Sequence, residues 1–131
     1  MLVYLDSVLI TYLVEQNPQH APGVEAWLTA HPTARLISSE LARLEALVLP
    51  LRNADAGRIV DFNRFFETQV SSRVPLDRAV FEKAAEIRAF SPSIKPPDAI
   101  HLAAAVGFGC GTFLTNDTRL SRYRGIAVTL I

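Results

Sequence analysis

The chain opens on Leu2-Val3-Tyr4-Leu5 and runs straight into Asp6-Ser7. A short unbroken apolar run reads as a strand covered on both faces, as in the middle of a parallel sheet. A half-solvated strand would alternate apolar and polar residues instead. An acid that follows such a strand sits at its carboxyl end. In open α/β sheets this is the edge where ligands bind. The opening segment therefore constrains both the architecture and the place to look for chemistry.

The rest of the chain alternates in kind. Ser7 is positioned to cap a helix from about Val8 to Glu15, closed by Asn17-Pro18. Pro22 suits the first turn of a second helix through Trp27 and Leu28. His31-Pro32-Thr33 is a loop, and His20 and His31 read as solvated loop histidines. Arg35 to Ser38 is a second strand, and Ser39 caps a helix from Glu40 to about Leu49 that Pro50 terminates. Asn53-Ala54-Asp55 opens a long helix through Phe66, whose Ile59, Phe62, Phe65 and Phe66 fall at helical spacing and read as core or partner surface. Val74-Pro75-Leu76 reads as an edge strand. Asp77 caps a helix from Arg78 to Phe90, with Val80, Phe81, Ala84, Ala85, Ile87 and the stem of Arg88 as its apolar face. A stiff loop, Ser91 to Pro97, precedes a very apolar helix from Asp98 to about Val106, stopped by Gly107 and Gly109. Gly111 to Thr115 and Ile126 to Leu130 are the last strands. Strands that alternate with helices imply a three-layer α/β fold with a mostly parallel sheet. With no repeat or linker, the 131 residues are expected to form a single domain, 1–131.

Composition narrows the function. The formal net charge is +0, which excludes a module held to nucleic acid by bulk charge but leaves room for a local cationic patch. Of the 13 cationic residues only Lys83 and Lys95 are lysine, and arginine suits bidentate phosphate contacts. A single cysteine, Cys110, excludes an intrachain disulfide and reads as a small reduced residue. No basic-then-apolar segment opens the chain, and Ala99 to Leu114 is too short and glycine-rich to cross a membrane. The expected location is cytoplasmic, with no membrane partner.

Asp117 repeats the opening feature, because it follows the strand Phe113-Leu114-Thr115. It also suits the cap of a helix that starts at Thr118-Arg119-Leu120. Asp98 starts a helix after two prolines, and a cap there also faces the ligand edge. His101 lies one turn on and reads as a packed or hydrogen-bonded support. Glu40 and Glu45 are about 140° apart around a helix and cannot face one site. Glu40 has Arg43 at i+3 and suits the helix start. Glu45, with Leu41, Val48 and Leu49 beside it, falls on the apolar stripe, where a carboxylate is costly unless paired or metal-bound. Glu45 is therefore the expected fourth acid. Clustered carboxylates raise each other's pKa, and a divalent cation removes that conflict. An all-oxygen set suits Mg²⁺ or Mn²⁺ rather than zinc, and such an ion serves phosphodiester hydrolysis.

With YLDSVLITYLVE, SSELARLEAL, KPPDAIHLAAA and FLTNDTRL in this order, the chain resembles a PIN domain, and within that superfamily a VapC-type toxin ribonuclease. The resemblance spans essentially the whole chain. It implies a parallel sheet of order 3-2-1-4-5 flanked by helices. It implies a Mg²⁺- or Mn²⁺-dependent endoribonuclease, acting on RNA and inhibited by a VapB-type antitoxin. It implies a homodimer that meets operator DNA through the antitoxin. The family's acids map onto Asp6, Glu45, Asp98 and Asp117, its hydroxyl onto Ser7, and its small polar residues before the last acid onto Thr115 and Asn116. Lys95, Arg119, Arg122 and Arg124 flank these acids and are the candidate RNA contacts. The alternative is a degenerate fold of the same kind that binds antitoxin or RNA without cleavage. A second aspartate two residues after Asp6, an acidic pair at the first strand's end and a P-loop are all absent, which argues against other phosphate enzymes.

Overall fold

The computed structural model describes residues 1–131. In chain order the elements are β1 (Leu2–Leu5), α1 (Ser7–Val14), α2 (Ala21–Ala30), β2 (Arg35–Ser39), α3 (Glu40–Arg52), α4 (Ala56–Thr68), β3 (Ser72–Val74), α5 (Arg78–Phe90), α6 (Pro96–Phe108), β4 (Thr112–Thr115), a 3₁₀ turn (Thr118–Arg122) and β5 (Ala127–Leu130). The five strands form one sheet in the order β3-β2-β1-β4-β5, and every pairing is parallel. This is the architecture and order expected from the sequence.

β1 is central, with Tyr4 opposite Ile37 of β2 and Leu5 opposite Leu114 of β4. Side chains alternate across the sheet. Tyr4, Ile37 and Phe113 therefore enter the core beneath α5 and α6, while Val3, Leu5, Leu36 and Leu114 enter the core beneath α1 and α4. Tyr4 stacks on Phe113 at 5.2 Å between ring centres. On the second face Phe62 and Phe66 of α4 are fully buried, so the aromatic stripe is core.

Several boundaries differ from expectation for local reasons. Asp6, not Ser7, is the N-cap of α1, and its side chain makes no capping hydrogen bond. α3 runs past Pro50 to Arg52, because a proline near the helix end costs a single amide bond. β3 ends at Val74, since Pro75 has no N–H to give to the ladder with β2. α6 starts at Pro96 rather than Asp98. Both prolines fit the first turn, where amides are unpartnered anyway, and Asp98 is inside the helix. On α5, Phe81 and Ala85 are exposed and only Val80, Ala84 and Ile87 form the buried face. His20 and His31 are half-buried rather than solvated: His20 stacks on Tyr12 and His31 on Trp27, at 4.4 and 3.9 Å between centres.

Candidate active site

Parallel topology decides what meets at the carboxyl edge of the sheet. β1 delivers Asp6 and the adjacent β4 delivers Thr115, Asn116 and Asp117. The Asp6 amide continues the ladder by donating to the Leu114 carbonyl at 3.0 Å. Asp6 is 7% exposed, and its side chain accepts a 2.6 Å hydrogen bond from the Thr115 hydroxyl. The same hydroxyl oxygen accepts from the Asp117 amide at 3.1 Å. Burial pushes the Asp6 carboxyl above the ordinary carboxylate range, while Thr115, His101 and the Ser7 amide pull the other way. Ser7 is the first residue of α1 and is half-buried. Asn116 donates to the Tyr12 hydroxyl at 2.9 Å and ties the β4 end to α1.

α6 brings Asp98 from the neighbouring corner. Burial raises its carboxyl first, and the Asp6 and Asp117 carboxylates raise it further, so the three acids share one electrostatic neighbourhood. Asp117 both caps the 3₁₀ turn, accepting from the Arg119 amide at 3.0 Å, and pairs with the Arg119 guanidinium at 2.6 and 2.9 Å. Hydrogen bonding to Arg119 holds the Asp117 carboxyl below its ordinary value, and the charge of Lys95 adds to this. A groove of about 430 Å³ runs alongside, lined by Ser93, Asp98, Thr118, Arg119 and Arg122 among others. Arg124 is exposed just beyond it in sequence.

α3 contributes Glu45, whose Oε1 accepts from His101 Nε2. The Glu45 charge also raises the Asp6 carboxyl, after burial. The apolar stripe around Glu45 is not the buried face of α3. α3 buries Ala42, Ala46 and Pro50, while Leu44, Val48, Leu49 and Leu51 are exposed. Glu45 is instead held at the margin of the core by a histidine on another helix. Glu40 faces away and pairs with Arg73 at 2.9 Å and Arg43 at 3.8 Å.

His101 is the hydrogen-bonded support expected, but its link to Tyr4 and Ser39 is not legible in the sequence. The Tyr4 hydroxyl lies 2.8 Å from both Ser39 Oγ and His101 Nδ1, deep in the core. The one signal for Tyr4 is a polar group inside an apolar segment, a tyrosine in the central strand.

These donors are oxygen atoms of excess negative charge, which in kind and charge fit a hard divalent cation. Asp6 and Asp98 are both disfavoured as anions where they stand, and a cation relieves that conflict. No three His, Cys, Asp or Glu side chains already close around one point. Glu45 turns to His101 and Asp117 to Arg119. Cys110 takes no part: it is buried, which pushes its thiol up to about 11.

The PIN domain family model matches residues 3–126. No curated protein sequence matches the chain. Among solved structures, VapBC2 from Rickettsia felis, bound to a promoter DNA fragment, superposes with a TM-score of 0.78 at 13% identity, covering 99% of this chain and 98% of that one. A toxin–antitoxin complex from Klebsiella pneumoniae gives 0.69 at 18% identity, covering 95% of each chain. FitAcB from Neisseria gonorrhoeae gives 0.65 at 21% identity, covering 96% and 95%.

Proposed function

The chain belongs to the PIN-domain family, and from that membership and its acidic sheet edge we propose that it is a metal-dependent endoribonuclease, the toxin of a VapBC-type toxin–antitoxin pair. The observation that carries the reading is Asp6, a nearly buried carboxylate at the end of the central strand, with Glu45, Asp98 and Asp117 acting on it or its neighbours. Asp6, Glu45, Asp98 and Asp117 would hold Mg²⁺ or Mn²⁺. When bound, such an ion supplies an activated water and neutralises charge on a phosphoryl oxygen. Thr115 orients Asp6, Ser7 gives it a backbone amide, and Asn116 braces the loop that carries Asp117. Lys95, Arg119, Arg122 and Arg124 would hold RNA phosphates beside the acids.

Similarity to a toxin–antitoxin complex and to VapBC2 bound to promoter DNA supports a VapB-type antitoxin as partner and operator DNA reached through it. A homodimer is the assembly proposed. No helix is long and apolar enough to cross a membrane, and a cytoplasmic place is part of the same proposal.

Asp6→Asn tests the reading. The amide keeps an acceptor for Thr115 but loses the charge, so the variant should fold, lose Mn²⁺ binding and lose RNA cleavage. Equal Mg²⁺-supported cleavage by variant and wild type would refute the mechanism. The open arrangement of the acids favours one other reading, a non-catalytic module that binds antitoxin or RNA. That reading requires no cleavage in wild type with Mg²⁺ or Mn²⁺, alongside intact antitoxin or RNA binding.

A further inference from the structure

The core beneath α6 contains a polar chain that packing alone does not require. Ser39 at the end of β2, Tyr4 in β1 and His101 in α6 are each at most 1% exposed. They are joined through the Tyr4 hydroxyl, 2.8 Å from Ser39 Oγ and from His101 Nδ1. The far ring nitrogen, Nε2, faces Glu45 Oε1. A carboxylate only accepts, so Nε2 carries the hydrogen in that bond.

The asymmetry of burial is the informative part. The Glu45 side chain is 33% exposed against 1% for His101. A carboxylate at the surface has water and needs no buried partner to be satisfied. A flexible glutamate does need a fixed partner to hold one rotamer. The His101 ring is such a partner, because its other nitrogen is tied to Tyr4 and its ring meets the Tyr4 ring edge-on at 5.8 Å. Oε1 is taken by His101, and Oε2 makes no bond within the protein and is available to a cation. The charges of Glu45 and His101 both act on the Asp6 carboxyl.

We propose that His101 is the positioning residue for Glu45, and that Tyr4 and Ser39 fix the His101 ring so that one carboxylate oxygen is presented to the cation. The inference rests on the reading of Glu45 as a metal ligand. Supports of this kind orient ligands through the atom the metal does not use.

The test is Mn²⁺ binding by calorimetry on the full chain, with thermal unfolding of each metal-free variant. His101→Ala should weaken Mn²⁺ about 10- to 100-fold, the range for such supports. His101→Gln, whose amide can donate to Glu45, should recover most of that loss. Tyr4→Phe, nearly neutral in volume, should give a smaller loss. In the metal-free protein the His101 Nε2–H should give an exchange-protected proton resonance that is lost in Glu45→Ala. Mn²⁺ affinity in folded Tyr4→Phe and His101→Ala equal to wild type overturns the proposal. A His101→Gln variant no better than His101→Ala reduces His101 to packing and also overturns it. If His101→Ala does not fold, Tyr4→Phe and His101→Gln carry the decision. A wild type that shows the protected proton but binds no Mn²⁺ brings down the metal reading itself, a result distinct from either of these.

Discussion

Asp6 is costly where it stands. Its carboxyl is raised by burial before anything else, and Asp98 is raised for the same first reason. For both, the folded state holds its proton more tightly than the unfolded chain. Their contribution to stability is therefore greatest at acid pH, declines as pH rises past the ordinary 3.8 and stays lost above the raised folded values. Asp117 runs the opposite way, since its lowered carboxyl favours folding above 3.8, but it is only partly buried and counts for less. In metal-free protein, Asp6→Asn should accordingly raise Tm at neutral pH and flatten the fall in stability between mild acid and neutrality. Thermal unfolding across that range checks it, and a lower neutral Tm in the variant would count against a strained carboxylate. That Asp6 and Asp117 follow buried strands could be read directly, because a continuous apolar run ending in an acid is a local pattern. Glu45 could not be placed that way. The apolar stripe around it lies on the outside of α3, and its partner is 56 residues away on α6. No local periodicity encodes such a pairing.

At the scale of the element, α6 matters most, since it carries Asp98 and His101 on one side and ends against β4 on the other. Its C-terminal end offers a paired test. Gly109 has φ +81° with open space around its missing side chain, so the strain of an alanine there comes from the backbone alone. Gly109→Ala should cost about 1–2 kcal/mol, the usual penalty of the left-handed region. Gly107, two residues earlier, is helical, exposed and equally uncrowded. Gly107→Ala should stabilise by roughly 0.5–1 kcal/mol. Denaturant unfolding of the two variants should show opposite signs, with Mn²⁺ affinity unchanged in both. The existence of each helix and strand was legible because caps, prolines and apolar runs are short-range signals. Boundaries moved where a proline was read as a breaker although its position made it harmless. Pro50 lies near the end of α3, and Pro96 and Pro97 open α6. The half-burial of His20 and His31 is not legible from turn chemistry, because their stacking partners, Tyr12 and Trp27, lie on preceding helical turns.

At the scale of the whole molecule, alternation of strands and helices implies a parallel sheet but not the order of its strands. The order β3-β2-β1-β4-β5 was available only through resemblance, and it is what sets Asp6 and Asp117 on neighbouring strands. The same edge must reconcile opposite demands, since a chain of net charge +0 would have to hold a polyanion next to its own acids. The proposed cationic side is local: Arg119 and Arg122 line the groove with Asp98, while Arg124 and Lys95 are exposed nearby in sequence. Arg119 differs from the others because Asp117 already engages it through both oxygens. Without metal its charge is largely spent, and Arg119→Ala alone should change RNA affinity less than Arg122→Ala. Phosphate contacts release counterions, so each one lost should reduce the slope of log affinity against log salt by about 0.7 on single-stranded RNA. RNA binding is best measured in the Asp6→Asn background, where cleavage is silent. With Arg119, Arg122 and Arg124 all replaced by alanine, RNA affinity should fall and the salt slope should flatten by about 2 if all three touch phosphates. An unchanged slope would move the RNA path to a cationic surface elsewhere on the molecule, or across a dimer.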